Sequence, residues 1–244
     1  MGANFTVNNF SVVIPIHNEE EIILQSAHEV YEMCKKTNLS FEVIFSENGS
    51  KDKTLALINE FSINKKECTV ITNKVANYGM GLKNGFLKAN NEIIISFDID
   101  YYSKDFLNNS LTLNEDFSAI TASKRLNDSE DSRKIIRKMA TNFFVVILKL
   151  FFNTSLSDTH GMKAIRKVSS DKHIMKTVST QDLFDTELLI RIEKSGDKIL
   201  EVPAIVNEIR PSVSVIYKRI PRTIYSLIKL RIQLFKESLN TNNL

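Results

Sequence analysis

Asp98-Ile99-Asp100 sets two carboxylates one residue apart, where the apolar run Glu92–Phe97 ends. Hard divalent cations take oxygen ligands and share them with substrate phosphates. Such a pair at a strand end suits Mg2+ or Mn2+ held together with a diphosphate, the metal offsetting charge on the leaving group. The same three residues also occur as an ordinary acidic turn. Glu47-Asn48-Gly49-Ser50-Lys51-Asp52 follows a second apolar run, Phe41–Ser46, and His17-Asn18-Glu19 follows a third, Ser11–Ile16. A carboxylate at such a point accepts hydrogen bonds from a base or ribose. Alternatively the second stretch is only a turn in which Ser50 or Asp52 caps the next helix.

Other candidates are individually weaker. Lys124, Arg125, Arg133 and Arg210 are either phosphate clamps, since the guanidinium fork matches phosphate oxygens, or solvated surface charge. His17 and His160 are lone histidines, as suited to a structural role as to a catalytic one. Asn77-Tyr78-Gly79-Met80-Gly81, with Gly85, lets backbone approach a ligand. It lacks the position and spacing of a dinucleotide fingerprint, which argues against a dehydrogenase.

The elements that must position these residues alternate. Strands are expected at Ser11–Ile16, Phe41–Ser46, Cys68–Thr72, Glu92–Phe97, Ser118–Ser123 and Lys198–Val202. Helices are expected from Asn18 to Cys34 (Asn18 and Glu21 forming a capping box), at Asp52–Phe61, Gly81–Ala89, Ser132–Phe152, Asp182–Ser195 and Pro221–Leu239, with a polar mobile loop over Lys124–Asp131. Strands apolar on both faces, alternating with helices, predict an α/β fold: a mainly parallel sheet covered by helices on both sides. Ligands bind at the carboxyl ends of such strands. Glu19, Glu47, Asp98 and Asp100 are therefore expected to converge in one crevice.

The chain has 244 residues, which suits one large domain needing no disulfide staples. Two cysteines in unrelated contexts indicate a reducing compartment, and four scattered histidines form no zinc site. The net charge of +3 is mild, and no nucleic-acid partner is expected. Its distribution is uneven: Arg133–Lys149 carries five basic residues and Tyr217–Lys236 six, neither with an acidic one, both rich in bulky apolar residues. That pattern fits a membrane surface or a phosphate-bearing partner. The final helix places Arg222, Lys229 and Lys236 on one stripe and Ile224, Leu227, Ile228, Phe235 and Leu239 on another side, as an interfacial helix does. The longest charge-free apolar run, Met139–Leu148, falls far short of the ~20 residues that span a bilayer, and no secretory signal is visible. The expected location is cytoplasmic, peripheral on the cytoplasmic face of a membrane.

Taken together, the ordered stretches VVIPIHNEEE (12–21), VIFSENGSKDKT (43–54), NYGMGLKNGF (77–86), SFDIDY (96–101), ASKRLNDSEDSR (122–133), DTHGMKAIRK (158–167), FDTELLIRIEKSGDKILEVP (184–203) and EIRPSVS (208–214) resemble the family 2 glycosyltransferases. The resemblance is strongest to the branch of dolichol-phosphate mannose synthases and polyprenyl-phosphate glycosyltransferases. It implies the GT-A fold, expected over residues 1–216, while the charge and apolar spacing described above marks residues 217–244 as a basic amphipathic helix at the membrane interface. It implies inverting transfer from a GDP- or UDP-sugar to a polyprenyl or dolichyl phosphate, with Mg2+ or Mn2+. By the same resemblance Pro15, His17, Glu19, Glu47, Gly81, Lys83 and Asp98 hold the nucleotide. Asp98 and Asp100 hold the metal. Lys124, Arg125, Arg133 and Arg210 hold the acceptor phosphate, and Asp158 lies near the reacting centre. The chain departs from the family pattern in Glu47-Asn48, where two Asp residues are usual. It has DIDYY in place of DADLQ, and DTHGMK is one residue shorter than DTQTGLK. A phosphate acceptor needs little help from a general base; a hydroxyl acceptor needs one, and Asp158, Asp185 or Glu187 are the candidates. A soluble enzyme with a hydroxyl acceptor in cell-surface glycan synthesis and a non-catalytic nucleotide-sugar-binding module are the alternative readings.

Overall fold

A computed structural model describes residues 6–131, 135–206 and 216–241. The strands are β1 (Asn9–Ile16), β2 (Ser40–Asn48), β3 (Cys68–Asn73), β4 (Ile93–Ser96), β5 (Phe117–Ser123), β6 (Glu130–Asp131), β7 (Lys163–Arg166), β8 (Lys198–Pro203) and β9 (Ile205–Val206). The helices are α1 (Ile23–Lys35), α2 (Thr54–Ser62), α3 (Tyr78–Lys88), α4 (Lys104–Leu111), α5 (Ile135–Phe152), α6 (Lys167–Ile174), α7 (Phe184–Lys194) and α8 (Ile216–Thr241). Seven strands form one sheet in the order β3-β2-β1-β4-β7-β5-β8, while β6 and β9 pair separately. All pairings in the large sheet are parallel except those of β7, which runs antiparallel to both β4 and β5.

The strand residues alternate between two cores, as the period of two requires. Val12, Ile14, Val43 and Phe45 face one side with Ala27 and Val30 of α1, Ile58 of α2 and Phe106 and Leu107 of α4. Val13, Ile44 and Ile94 face the other with Leu82 and Phe86 of α3, Ile174 of α6 and Leu188 and Leu189 of α7. This is the helix-covered, mainly parallel α/β sheet that the apolar runs predict. A third cluster joins Leu148 and Phe152 of α5, Ile190 of α7 and Leu227 and Leu230 of α8.

Close packing leaves no room for a side chain at Gly161, where an added Cβ would stand 2.2 Å from the Ala122 carbonyl oxygen. That oxygen belongs to β5 backbone and cannot swing away. Gly161→Ala should cost roughly 1–3 kcal/mol, as overpacking does, read as a lower urea midpoint at unchanged slope.

Several local expectations are corrected. Asn18 does not cap α1; its φ is +55°, its side chain accepts from Lys51 N–H, and α1 begins only at Ile23 without a side-chain cap. The tight turn after β1 takes up the intervening residues. Helix α3 begins earlier than expected, because Asn77 supplies the cap by accepting from Met80 N–H at 3.1 Å. The stretch taken for a mobile loop holds turns and β6, with Ser129 donating to the Ser123 carbonyl at 2.6 Å. Helix α8 starts at Ile216, not Pro221, and takes the proline inside, which removes one backbone donor.

Helices α5 and α8 pack together and each leaves an apolar stripe uncovered. On α5 it is Ile135, Met139, Phe143, Val146 and Leu150; on α8 it is Tyr225, Ile228, Ile232, Phe235 and Leu239. Both step by three or four residues, so each lies along one face of its helix. Helix α8 is thus apolar on two sides, since Leu227 and Leu230 are buried inward. Among the described residues no helix is long and apolar enough to cross a membrane.

Candidate active site

A crevice of about 360 Å³ opens where β1, β2 and β4 end. Its wall takes Pro15, Ile16, His17 and Glu19 from the end of β1, Asn48 from β2, and Asp98, Ile99 and Asp100 from the segment after β4. Ala76, Asn77 and Tyr78 come from the entry to α3, Gln181 from the turn before α7, and Arg222 from α8.

Local backbone chemistry holds these residues. Asp98 N–H donates to the Tyr101 carbonyl at 3.2 Å and Tyr101 N–H to the Asp98 carbonyl at 3.0 Å, closing a tight turn that presents both aspartates. His17 Nδ1 lies 2.9 Å from the Asn48 carbonyl oxygen, and Asn18 Nδ2 lies 3.0 Å from His17 Nε2. A carbonyl can only accept and an amide nitrogen can only donate, so both contacts are satisfied by the tautomer that carries its proton on Nδ1. The β1 and β2 loops are further tied by Asn18 N–H donating to Ser50 Oγ at 3.0 Å and Glu19 N–H to Thr54 Oγ1 at 2.7 Å. Asn77 caps α3 and also accepts from Gln181 N–H at 2.8 Å, which joins two parts of the wall.

The electrostatics around Asp98 are unusual. Its carboxylate accepts from Tyr78 Oη at 3.0 Å. Burial pushes its pKa up, the nearby Asp100 and Asp185 charges push the same way, and the Lys163 ammonium and the Tyr78 hydroxyl only partly oppose them. A cation beside Asp98 and Asp100 would relieve this strain. The donor set, two carboxylates with the remaining positions open to phosphate or water, fits Mg2+ or Mn2+. Among the described residues no group of three potential ligands forms a self-sufficient metal site.

Behind the crevice, Lys163 Nζ pairs with Asp185 Oδ2 at 2.9 Å, both almost fully buried. Burial works to raise the Asp185 pKa, but the Lys163 charge and the other bonds outweigh it, and the net shift is downward. Asp158 behaves likewise: burial opposes ionisation, while Lys124 Nζ at 2.9 Å and His160 N–H at 2.9 Å carry its pKa below the usual carboxylate range.

Glu19, Asp98 and Asp100 therefore share the crevice with Pro15 and His17, whereas Glu47 does not stand on its wall. Glu47 is buried and accepts from Ser50 N–H at 2.5 Å, on the opposite face of the strand from Asn48. Gly81 lies under the site: a Cβ there would stand 3.4 Å from Ser46 Oγ and Asn48 Cγ. Lys83 Nζ donates to the Thr177 carbonyl at 3.0 Å, away from the wall. Lys124 points inward to Asp158, and Arg125 is engaged by Asn142. Arg133 and Arg210 lie outside the described residues. Tyr78, Gln181 and Arg222 enter the site without having been singled out for it. Tyr78 lies in the stretch read for its glycines and not for its hydroxyl, Gln181 carries no sequence signal, and the spacing of Arg222 with Lys229 and Lys236 points to a membrane-facing stripe instead.

Comparison with known proteins is consistent with this geometry. Residues 11–175 match the model of Glycosyl transferase family 2. A dolichyl-phosphate beta-glucosyltransferase of Trichomonas vaginalis is 25% identical over 219 residues, covering 83% of this chain and 67% of that protein. An undecaprenyl-phosphate 4-deoxy-4-formamido-L-arabinose transferase of Proteus mirabilis is 29% identical over 96 residues, covering 38% of this chain and only 29% of that protein. Among solved structures, a mannosyltransferase of Pyrobaculum calidifontis in complex with GDP-Man and Mn2+ superposes with a TM-score of 0.63 at 16% identity, covering 97% of this chain and 65% of that one. Glucosyl-3-phosphoglycerate synthase of Mycobacterium tuberculosis, in complex with Mn2+, UDP-Glc and phosphoglyceric acid, gives 0.68 at 16% identity, covering 92% and 79%. The match of the family model over well more than half the chain, on a sheet of the GT-A type, identifies the chain as a member of glycosyl transferase family 2.

Proposed function

We propose that the chain moves a sugar from a GDP- or UDP-sugar, held in the crevice with Mg2+ or Mn2+, to a polyprenyl or dolichyl phosphate at a membrane surface. The convergence of Glu19, Asp98 and Asp100 at the carboxyl ends of the strands carries the donor half of this reading. Asp98 and Asp100 hold the metal, which would stabilise negative charge on the diphosphate as it leaves. Pro15, His17 and Glu19 line the nucleotide.

The acceptor half rests on the engagement of Asp158, Asp185 and Glu187, the carboxylates that a hydroxyl acceptor would call on as base. Asp158 is paired with Lys124, Asp185 with Lys163, and Glu187 accepts from Arg191 at 2.7 Å and from the Val178 and Ser179 N–H groups. None of the three lies on the crevice wall. An acceptor that arrives ionised needs no such base. One of its phosphate oxygens forms the new bond to the anomeric carbon from the face opposite the diphosphate. The bond from that carbon to the diphosphate oxygen breaks, and its electron pair leaves with the nucleoside diphosphate, inverting the centre. Arg125, Arg133 and Arg210 are assigned to the acceptor phosphate.

The uncovered stripes of α5 and α8 support membrane contact, since both sit beside basic residues. Residues 1–216 form the catalytic domain in this reading, and 217–244 an interfacial helix built onto it. Burying one such side chain contributes about 1.5–3 kcal/mol. Ile232→Glu and Phe235→Glu should each lower co-sedimentation with anionic vesicles by about tenfold or more, leaving the melting temperature nearly unchanged because both residues are exposed.

Labelled GDP- and UDP-hexoses, Mn2+ and vesicles carrying polyprenyl phosphate test the whole reading. Label should enter the organic-extractable lipid. Label appearing only in a water-soluble oligosaccharide would transfer the reading to a hydroxyl acceptor, and no transfer from any common donor would leave a binding module.

A further inference from the structure

We propose that Arg222, carried into the crevice by α8, binds the diphosphate of the nucleotide donor, and that the Arg191–Glu237 fork is what positions it. This rests on the crevice being the donor site. The wall holds three carboxylates, Glu19, Asp98 and Asp100, and among the described lining residues Arg222 is the one Lys or Arg. A diphosphate entering there meets like charge. A divalent cation answers part of it, and a guanidinium answers the rest with a planar fork that matches phosphate oxygens.

Helix α8 is held so that this residue stays in place. Near its far end, Glu237 receives Arg191 Nη1 at 2.6 Å and Nη2 at 3.1 Å, a bidentate pair. Arg191 is itself buried and fixed by Glu187 at 2.7 Å, and Gln233 Nε2 donates to Glu237 at 2.8 Å. Glu237 lies about 22 Å along the helix from Arg222 at 1.5 Å rise per residue. Between them Leu227 and Leu230 pack with Leu183, two residues beyond Gln181, another part of the wall. The fork and the apolar contacts set the rotation and the axial position of α8. That rotation points Leu227 and Leu230 inward and carries Arg222 to the crevice.

Binding of UDP, GDP and the matching nucleoside monophosphates, with Mn2+, should be titrated on the full chain and on three variants. Arg222→Ala should weaken the better diphosphate by about tenfold to a hundredfold, as loss of hydrogen bonds between charged partners does, and the monophosphate by much less. Arg222→Lys should recover only part. Glu237→Gln should weaken the diphosphate in the same direction, and adding it to Arg222→Ala should have little further effect, because both act through one contact. Unchanged diphosphate affinity in Arg222→Ala, whose exposed side chain leaves folding intact, would overturn the proposal while the donor-site reading stands. A full effect of Glu237→Gln on top of Arg222→Ala would overturn the positioning role. Failure of the unaltered protein to bind either diphosphate would remove the donor-site reading, and this proposal with it.

Discussion

Lys163→Met should lower the free energy of unfolding by about 3–5 kcal/mol at neutral pH, because it strands the buried Asp185 carboxylate without its cation. The methionine matches the lysine stem in length, so little of the loss is packing. The pH dependence has a definite sign. The Asp185 pKa is lowered in the folded protein, so this group contributes stability above its unfolded value, near 3.9, that is lost as pH falls through the folded value. In the variant the burial that raises the pKa acts without the Lys163 charge, and Asp185 takes up a proton on mild acidification. The difference between the two proteins should therefore be largest near pH 7 and shrink toward pH 4, as read by urea melts across that range. A constant difference at all pH values would mean the loss is steric. Asp98 also feels the Lys163 charge, so the substitution should weaken the donor site as well.

Asp100→Ala should reduce kcat/KM for sugar transfer by about 10³-fold or more, equivalent to ~4 kcal/mol of transition-state stabilisation by the metal. Asp100 is exposed on the crevice wall, so the melting temperature should change little. Steady-state rates and a thermal melt on the same preparation separate the two effects. Asp100→Asn, which keeps the shape and one oxygen, should fall between the variant and the natural protein. Equal rates in all three would remove Asp100 from the metal site.

Much of this was legible in the chain. The runs at Ser11–Ile16, Phe41–Ser46 and Glu92–Phe97 are apolar on both faces, and both faces are indeed covered. The rule that ligands sit at the carboxyl ends of strands then located Glu19, Asp98 and Asp100. The same two-sided burial hid the placement of Glu47. When a strand is apolar on each side, its pattern does not say which of Glu47 and Asn48 turns toward the crevice. The Ser50 N–H, offered by the turn beyond, claims Glu47.

Strand β7 was invisible for a different reason. It is four residues long, Lys163–Arg166, and its first residue is a lysine whose burial makes sense only once Asp185 of α7 lies opposite. Helix α4 was missed because its cap, Ser103 accepting from Phe106 N–H at 3.3 Å, precedes a short and polar sequence. In α8 the spacing of basic and apolar residues marked an amphipathic helix but not its rotation. The buried Leu227 and Leu230, with the fork at Glu237, turn Arg222 toward the crevice.

On this account the acidic residues at the ends of β1 and β4 hold a nucleoside diphosphate together with a divalent cation. Crystals grown with Mn2+ and either UDP or GDP, measured near the manganese absorption edge, test it most directly. The expected result is one anomalous peak within about 2.1 Å of oxygens from Asp98 or Asp100 and of the diphosphate, with the base beside Pro15 and His17. A nucleotide bound elsewhere on the molecule, or manganese bound away from both aspartates, would contradict it.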